Sequence, residues 1–231
     1  MKSVLITDPA HPAAEAVIRR LEAEGYRVFS GGDFSSREGV HASIEKTGPV
    51  DALIISGHRG DVQLLSQGDV SRIVRAGQAN IMEAFYAVRH YGALMAQRGS
   101  GVILFLSSAH AAKPTGANPA YSISQSALEM FMKEIALDYG HAGIRANLIR
   151  LGPMEEEAVE FDSLLSPADY EAAAKSPIGR RSTAQDAADM AAFLLSPEAA
   201  GINGAALDVD GGLYFHYLDR DFAFRKEEDL P

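Results

Sequence analysis

Two hydroxyls thirteen residues apart are the first groups in this sequence that could do chemistry together: Ser108 closes a short apolar run and Tyr121 stands near the start of a helical segment. A Ser hydroxyl beside a Tyr hydroxyl is a proton donor and acceptor pair, able to polarise a carbonyl or to accept the proton of an alcohol. A free phenol ionises near about pH 10, so service as a base near neutrality requires a neighbouring cation. The sequence offers Lys113, five residues after Ser108, and Arg150, at the end of the apolar run that leads into Gly152. Arg150 is the expected electrostatic partner of the phenol.

The elements that must position these groups alternate between strand and helix. Apolar runs at 4–6, 26–29, 52–55, 102–106, 146–151 and 205–209 read as strands. Between them Ala14, Val17, Ile18 and Leu21 share one helical face, and similar spacing recurs in Ile81, Ala84, Phe85 and Val88 and in Ala127, Met130, Phe131 and Ile135. Gly25 is a stop for the first helix. Asn118-Pro119 reads as an N-cap and first helical residue ahead of Tyr121, and Thr183 with Asp186 as a capping box whose acid is one methylene short. Continuously apolar strands separated by helices predict a parallel sheet covered on both faces, a single-domain, doubly wound, Rossmann-like α/β fold over residues 1–212. The connection 30–50 has room for one helix and no further strand. Ligands of such folds bind beyond the carboxyl ends of the strands, where Ser108 and Gly152 fall. The tail 213–231 carries five aromatics within eleven residues and reads as an arm that docks on a neighbouring subunit.

Composition narrows the class. The 231 residues are 47% hydrophobic and 23% charged, the balance of a globular protein rather than a disordered one. Twenty-one Lys and Arg against 31 Asp and Glu give a net charge of −10, a surface that repels nucleic-acid phosphates and anionic lipid, so neither is an expected partner. The absence of Cys excludes disulfides, thiolate metal sites and a Cys nucleophile. No metal site is expected, and with no signal-like or spanning segment the expected location is the cytoplasm.

The order of motifs resembles the short-chain dehydrogenase/reductase family over nearly the whole chain. Ser108 and Tyr121 stand as that family's catalytic Ser and Tyr do, and Asn80 falls where its catalytic Asn lies. Gly179-Arg180 with Asp186, Phe193-Leu-Leu-Ser196, and Gly201-Ile-Asn-Gly204 with Asp208-Val-Asp-Gly-Gly212 are similar to its later signatures. The resemblance implies oxidoreduction of an alcohol or carbonyl with NAD or NADP. It also implies a small-molecule substrate and a homo-oligomer, dimer or tetramer, built through the helices that carry Asn80 and Tyr121.

Several departures from the family's pattern bear on that cofactor. The family's Lys, four residues after the Tyr, is here Gln125, which donates a hydrogen bond but does not favour an anion as Lys does. Its glycine-rich loop corresponds to Thr7-Asp8-Pro9-Ala10-His11-Pro12-Ala13-Ala14. Pro12 removes an N–H and adds a ring where a phosphate approaches, and Asp8 adds negative charge beside it. The family's Asn-Asn-Ala-Gly is replaced by Ile55-Ser56-Gly57-His58, and the short 30–50 connection omits the elements that flank the adenine. Thr7, Asp8, Pro12, Ser56, Gly57 and Gly152 are the aligned cofactor positions, and NAD(P) binding there is expected to be weak or lost.

Three readings stay open. One is an atypical oxidoreductase working through Ser108, Tyr121 and Asn80 on a hydroxyl or carbonyl compound. Another is a non-catalytic subunit paired in a hetero-oligomer with an active homologue. The third is a cofactor-independent lyase or isomerase like the halohydrin dehalogenases, which also lack the glycine loop, although Glu155, Glu156 and Glu157 would repel a halide. The segment 154–175 occupies the family's substrate lid, and its mixture of acids and apolar residues suits an uncharged or weakly polar small molecule.

Overall fold

The computed structural model describes residues 2–56, 65–114, 118–155 and 176–214. Strands β1 (Ser3–Ile6), β2 (Arg27–Ser30), β3 (Ala52–Ser56), β4 (Gly101–Ser108), β5 (Ile144–Leu151) and β6 (Ala206–Val209) form one parallel sheet in the order β2-β1-β3-β4-β5-β6. Val4, Leu5 and Ile6, and likewise Leu53, Ile54 and Ile55, are buried at successive positions, because both faces of this sheet are covered.

Alternate strand residues feed two separate cores. On one face Val4, Ile6 and Ile149 pack with α1 (Ala14–Ala23) and α7 (Ala184–Leu195), where Val17, Leu21, Ala187 and Ala191 are buried. On the other, Leu5, Leu53 and Ile103 meet Val40, Tyr91, Met95, Leu128 and Met132. Those come from α2 (Arg37–Thr47), from a helical run made of α3 (Val70–Ala76), α4 (Glu83–Ala87) and α5 (Ala93–Arg98), and from α6 (Pro119–Tyr139). The run is longer than the periodicity over 80–95 indicates, and it contains two wider π turns, Gly77–Met82 and Val88–Gly92. Asn80 sits in the first of them. Among the described residues no helix is long and apolar enough to cross a membrane.

The connection 30–50 holds α2 alone, as its length requires. Because α1 leads outward from β1 to β2 while α2 returns past β1 to β3, the chain reverses direction between β1 and β3. That is the switch point at which doubly wound folds form their ligand crevice. Of the C-terminal arm, Leu213 is buried and the Tyr214 amide donates to the Asp210 carboxylate at 2.9 Å, so these two residues pack on the domain itself. Residues 215–231, with the remaining arm aromatics, lie outside the described residues.

Helix α7 begins with a complete capping box despite the shortened acid. The Asp186 amide donates to Thr183 Oγ1 at 3.1 Å, and the Thr183 amide donates to Asp186 Oδ2 at 2.8 Å. Hydrogen bonds from the Arg180 guanidinium, joined by those from Thr183, hold the Asp186 carboxyl down at about 2. A carboxyl depressed in the folded state contributes stability above its unfolded range and loses it as pH falls through the folded value. Asp186→Ala is therefore expected to lower stability by about 1 kcal/mol in urea unfolding at neutral pH. The gap from wild type should close as the titration is carried down toward pH about 2.

Candidate active site

The carboxyl end of β4 and the amino end of α6 bring Ser108 and Tyr121 to the same edge of the sheet. Asn118 caps α6 by accepting the Tyr121 amide at 3.2 Å, with Pro119 preset for the first turn. Ser108 Oγ accepts the His110 amide at 3.2 Å, which bends the chain at the end of the strand. Asn80 reaches the same turn of α6 by an indirect contact: its Nδ2 donates to Ser124 Oγ at 2.8 Å, and Ser124 donates to the Tyr121 carbonyl at 2.8 Å. Asn80 thus braces the backbone of the residue that carries the phenol.

His110 is the member of this group that sequence reasoning missed. Its ring stands edge-on to Tyr121, 5.8 Å between centroids, and edge-on to Tyr214 at 6.4 Å. The available signal was position, two residues beyond Ser108 at the carboxyl end of a central strand.

Gln125 is fully buried and turned toward β4. Ser107 Oγ donates to its Oε1 at 2.7 Å, and its Nε2 is buried with no hydrogen-bond partner among the described residues. The position that the resemblance assigns to a cation is therefore a neutral side chain tied to the neighbouring strand.

Arg150 is placed differently from the sequence expectation. Its guanidinium lies across Glu129, with contacts of 2.8 and 2.9 Å, and reaches Asp208 at 3.0 Å. Burial by itself would push the Glu129 carboxyl up, but hydrogen bonds from Arg150 and Lys133 outweigh it and hold the group below the usual range. Register explains the choice: Arg150 stands opposite Asp208 on β6, and Glu129 lies two turns along α6 from Tyr121. The charge joins β5, β6 and α6. The Lys113 amide donates to the Ala109 carbonyl at 2.9 Å, extending the turn that follows β4.

At the switch point the polar groups bond to one another. Ser56 Oγ contacts both the amide and the carbonyl of Asp8 at 3.2 Å, and the Ser56 amide donates to Thr7 Oγ1 at 3.3 Å. The Ala10 amide donates to the Asp8 carboxylate at 2.9 Å, and the His11 amide to the Asp8 carbonyl at 3.4 Å. His11 holds the turn that leads into α1: its Nδ1 accepts the Ala13 amide at 3.2 Å and its carbonyl accepts the Ala14 amide at 2.8 Å. Pro9 and Pro12 have no N–H to offer. All five amides from Asp8 to Ala14 are thereby engaged within the protein.

Gly152 has a structural reason to be glycine. A Cβ there would come within 2.8 Å of the Asp210 Cα, and its amide donates to the Val209 carbonyl at 3.0 Å. Gly57, the remaining aligned position, lies outside the described residues, as does 156–175 of the expected lid. A cavity of about 600 Å³ along α7 and β6 is lined by none of the candidate residues, and its Asp186, Asp189 and Asp208 are held by Arg180, Arg20 and Arg150.

The Ser107–Gln125 contact has a measurable signature. Ser107→Ala leaves the second polar end of a buried amide without a partner and is expected to cost about 1–3 kcal/mol. Adding Gln125→Leu removes that amide and should recover most of the loss, as read by chemical denaturation of the single and double variants.

Residues 2–214 match a family model described as enoyl-(acyl carrier protein) reductase. The 7alpha-hydroxysteroid dehydrogenase of Escherichia coli (strain K12) is 28% identical over 216 residues, covering 91% of this chain and 84% of that protein. An oxidoreductase of the short chain dehydrogenase/reductase family from Burkholderia thailandensis superposes with a TM-score of 0.83 at 26% identity, covering 92% of each chain. The 3-ketoacyl-(acyl-carrier-protein) reductase from Brucella melitensis, in its complex with NADH, shares the fold with a TM-score of 0.80 at 24% identity, over 92% of this chain and 98% of that one. With the parallel sheet and nearly the full length of the sequence matched in this way, the chain belongs to the short-chain dehydrogenase/reductase family.

Proposed function

We propose that this chain is a divergent member of its family that binds a small hydroxyl or carbonyl compound at Ser108 and Tyr121 and does not hold NAD(P) in the family's usual pose. The observation that carries this reading is the engagement of all five amides between Asp8 and Ala14. A pyrophosphate at a helix N-terminus is bound by N–H groups that have no other partner; the loop offers none, and a phosphate approaching the first turn of α1 would meet the Asp8 carboxylate and the Pro12 ring. The residues present do not fit the dinucleotide, and no step of the chemistry is routed through it.

What remains is hydrogen bonding. Gln125 contributes a neutral amide, and Arg150 is shared between two carboxylates. The hydroxyls of Ser108 and Tyr121 then serve to orient a substrate oxygen and polarise a carbonyl rather than to abstract a proton.

A second reading, a non-catalytic subunit paired in a hetero-oligomer with an active homologue, draws on one observation. Ile123, Met130 and Leu137 recur every seven residues on α6 and are 55%, 58% and 79% exposed, an apolar stripe of the kind that partner subunits cover.

Titration with NADH and NADPH, followed by melting temperature, tests the main reading. A cofactor present at a hundred times its dissociation constant stabilises by about 2.7 kcal/mol. No shift is expected even with millimolar cofactor, whereas a clear shift in the micromolar range overturns the proposal. A carbonyl ligand whose affinity survives Tyr121→Phe unchanged would remove Tyr121 from the site.

A further inference from the structure

Away from the carboxyl edge, the groove between α2 and the α4–α5 run gathers cations that no carboxylate among the described residues pairs with. Arg37, Tyr86, Arg89 and His90 line a cavity of about 310 Å³. His41, one turn beyond Arg37 on α2, packs edge-on against His90 with ring centroids 5.0 Å apart. Arg89 and His90 lie nine and ten residues beyond Asn80, about 14 Å further along the helical run.

The excess of acidic residues in this chain makes the cluster unusual. Arg19, Arg20, Arg98, Arg150 and Arg180 each pair with a carboxylate, whereas among the described residues neither Arg37 nor Arg89 joins an ion pair. Burial, and after it the positive charges of His41, Arg89 and Arg37, lower the His90 pKa. These groups, from α2 and from His90's own helix, all act in the same direction. A pocket of like charges is held at a cost that an anion would remove.

We propose that this groove is a binding site for a phosphate-like dianion, free or carried on a small molecule. Two guanidinium forks facing one cavity suit the tetrahedral oxygens of phosphate, to which arginine presents paired donors. The volume is at the lower end for ligand pockets, enough for a phosphoryl group with a short carbon skeleton and too little for a dinucleotide. Tyr86 adds a phenol at the wall. An anion in the groove favours the protonated form of His90, so binding takes up a proton and tightens as pH falls.

Sulfate is the probe of choice because it stays doubly charged across the range in which His titrates. Calorimetry and melting temperature in sodium sulfate, against sodium chloride at matched ionic strength, should show saturable binding of sulfate to the full chain. Between about pH 8 and about pH 5.5 the affinity should rise severalfold, up to the roughly tenfold that a one-unit shift of a single imidazole produces. The exposed Arg37→Gln/Arg89→Gln double variant should lose the binding, while Arg19→Gln keeps it. Inorganic phosphate compared with glycerol phosphate and a nucleoside monophosphate distinguishes a free ion from a phosphomonoester. Equal responses to sulfate and chloride overturn the proposal, as does undiminished sulfate binding by the double variant. A double variant that changes oligomer size in a protein indifferent to sulfate also overturns it, in favour of a protein interface. An affinity that does not vary with pH removes His90 from the site.

Discussion

A backbone amide can satisfy one partner well, and the structure around the switch point follows from how five of them are used. In the family's usual arrangement, glycines leave the amides after β1 pointing outward. Here two prolines, the Asp8 carboxylate and the His11 imidazole turn the same stretch inward, and Ser56 fastens it to β3. The loop gains rigidity from these contacts. The amides of this stretch are each used once, within the protein.

The same exchange of an open, charged site for an internal, neutral one recurs along α6. Gln125 closes onto Ser107 where the family's Lys would present a charge, and Asn80 works through Ser124 to hold the turn beneath Tyr121. Two turns along the helix, Arg150, Glu129, Lys133 and Asp208 tie α6 to β5 and β6. The phenol and the Ser108 hydroxyl are thus kept in position by neutral hydrogen bonds and packing.

Local rules made much of this legible. The capping of α6 by Asn118-Pro119 and of α7 by Thr183 and Asp186 depends on residues within three positions of each other, and both form as their spacing indicates. The limit of one helix in the 30–50 connection is a matter of chain length. Long-range pairing was less accessible. Arg150 is 21 residues from Glu129 and 58 from Asp208, and only the β5–β6 register sets all three side by side. His110 drew no notice because its neighbours Tyr121 and Tyr214 become neighbours only when α6 and the final turn fold against the end of β4.

The sequence by itself determined the alternation of elements, the doubly wound sheet, the hydroxyl pair and the loss of glycine and lysine from the cofactor positions, because each is a matter of residue type and short spacing. Tertiary structure alone decided what the replacements do. The Asp8 loop is fastened to β3 by Ser56 from 48 residues away, and Gln125 is turned to the sheet by Ser107 across 18 residues. Hydrogen-bond partners are chosen by proximity in space, and proximity is set by the packing of α1 and α6 on opposite faces of the same sheet.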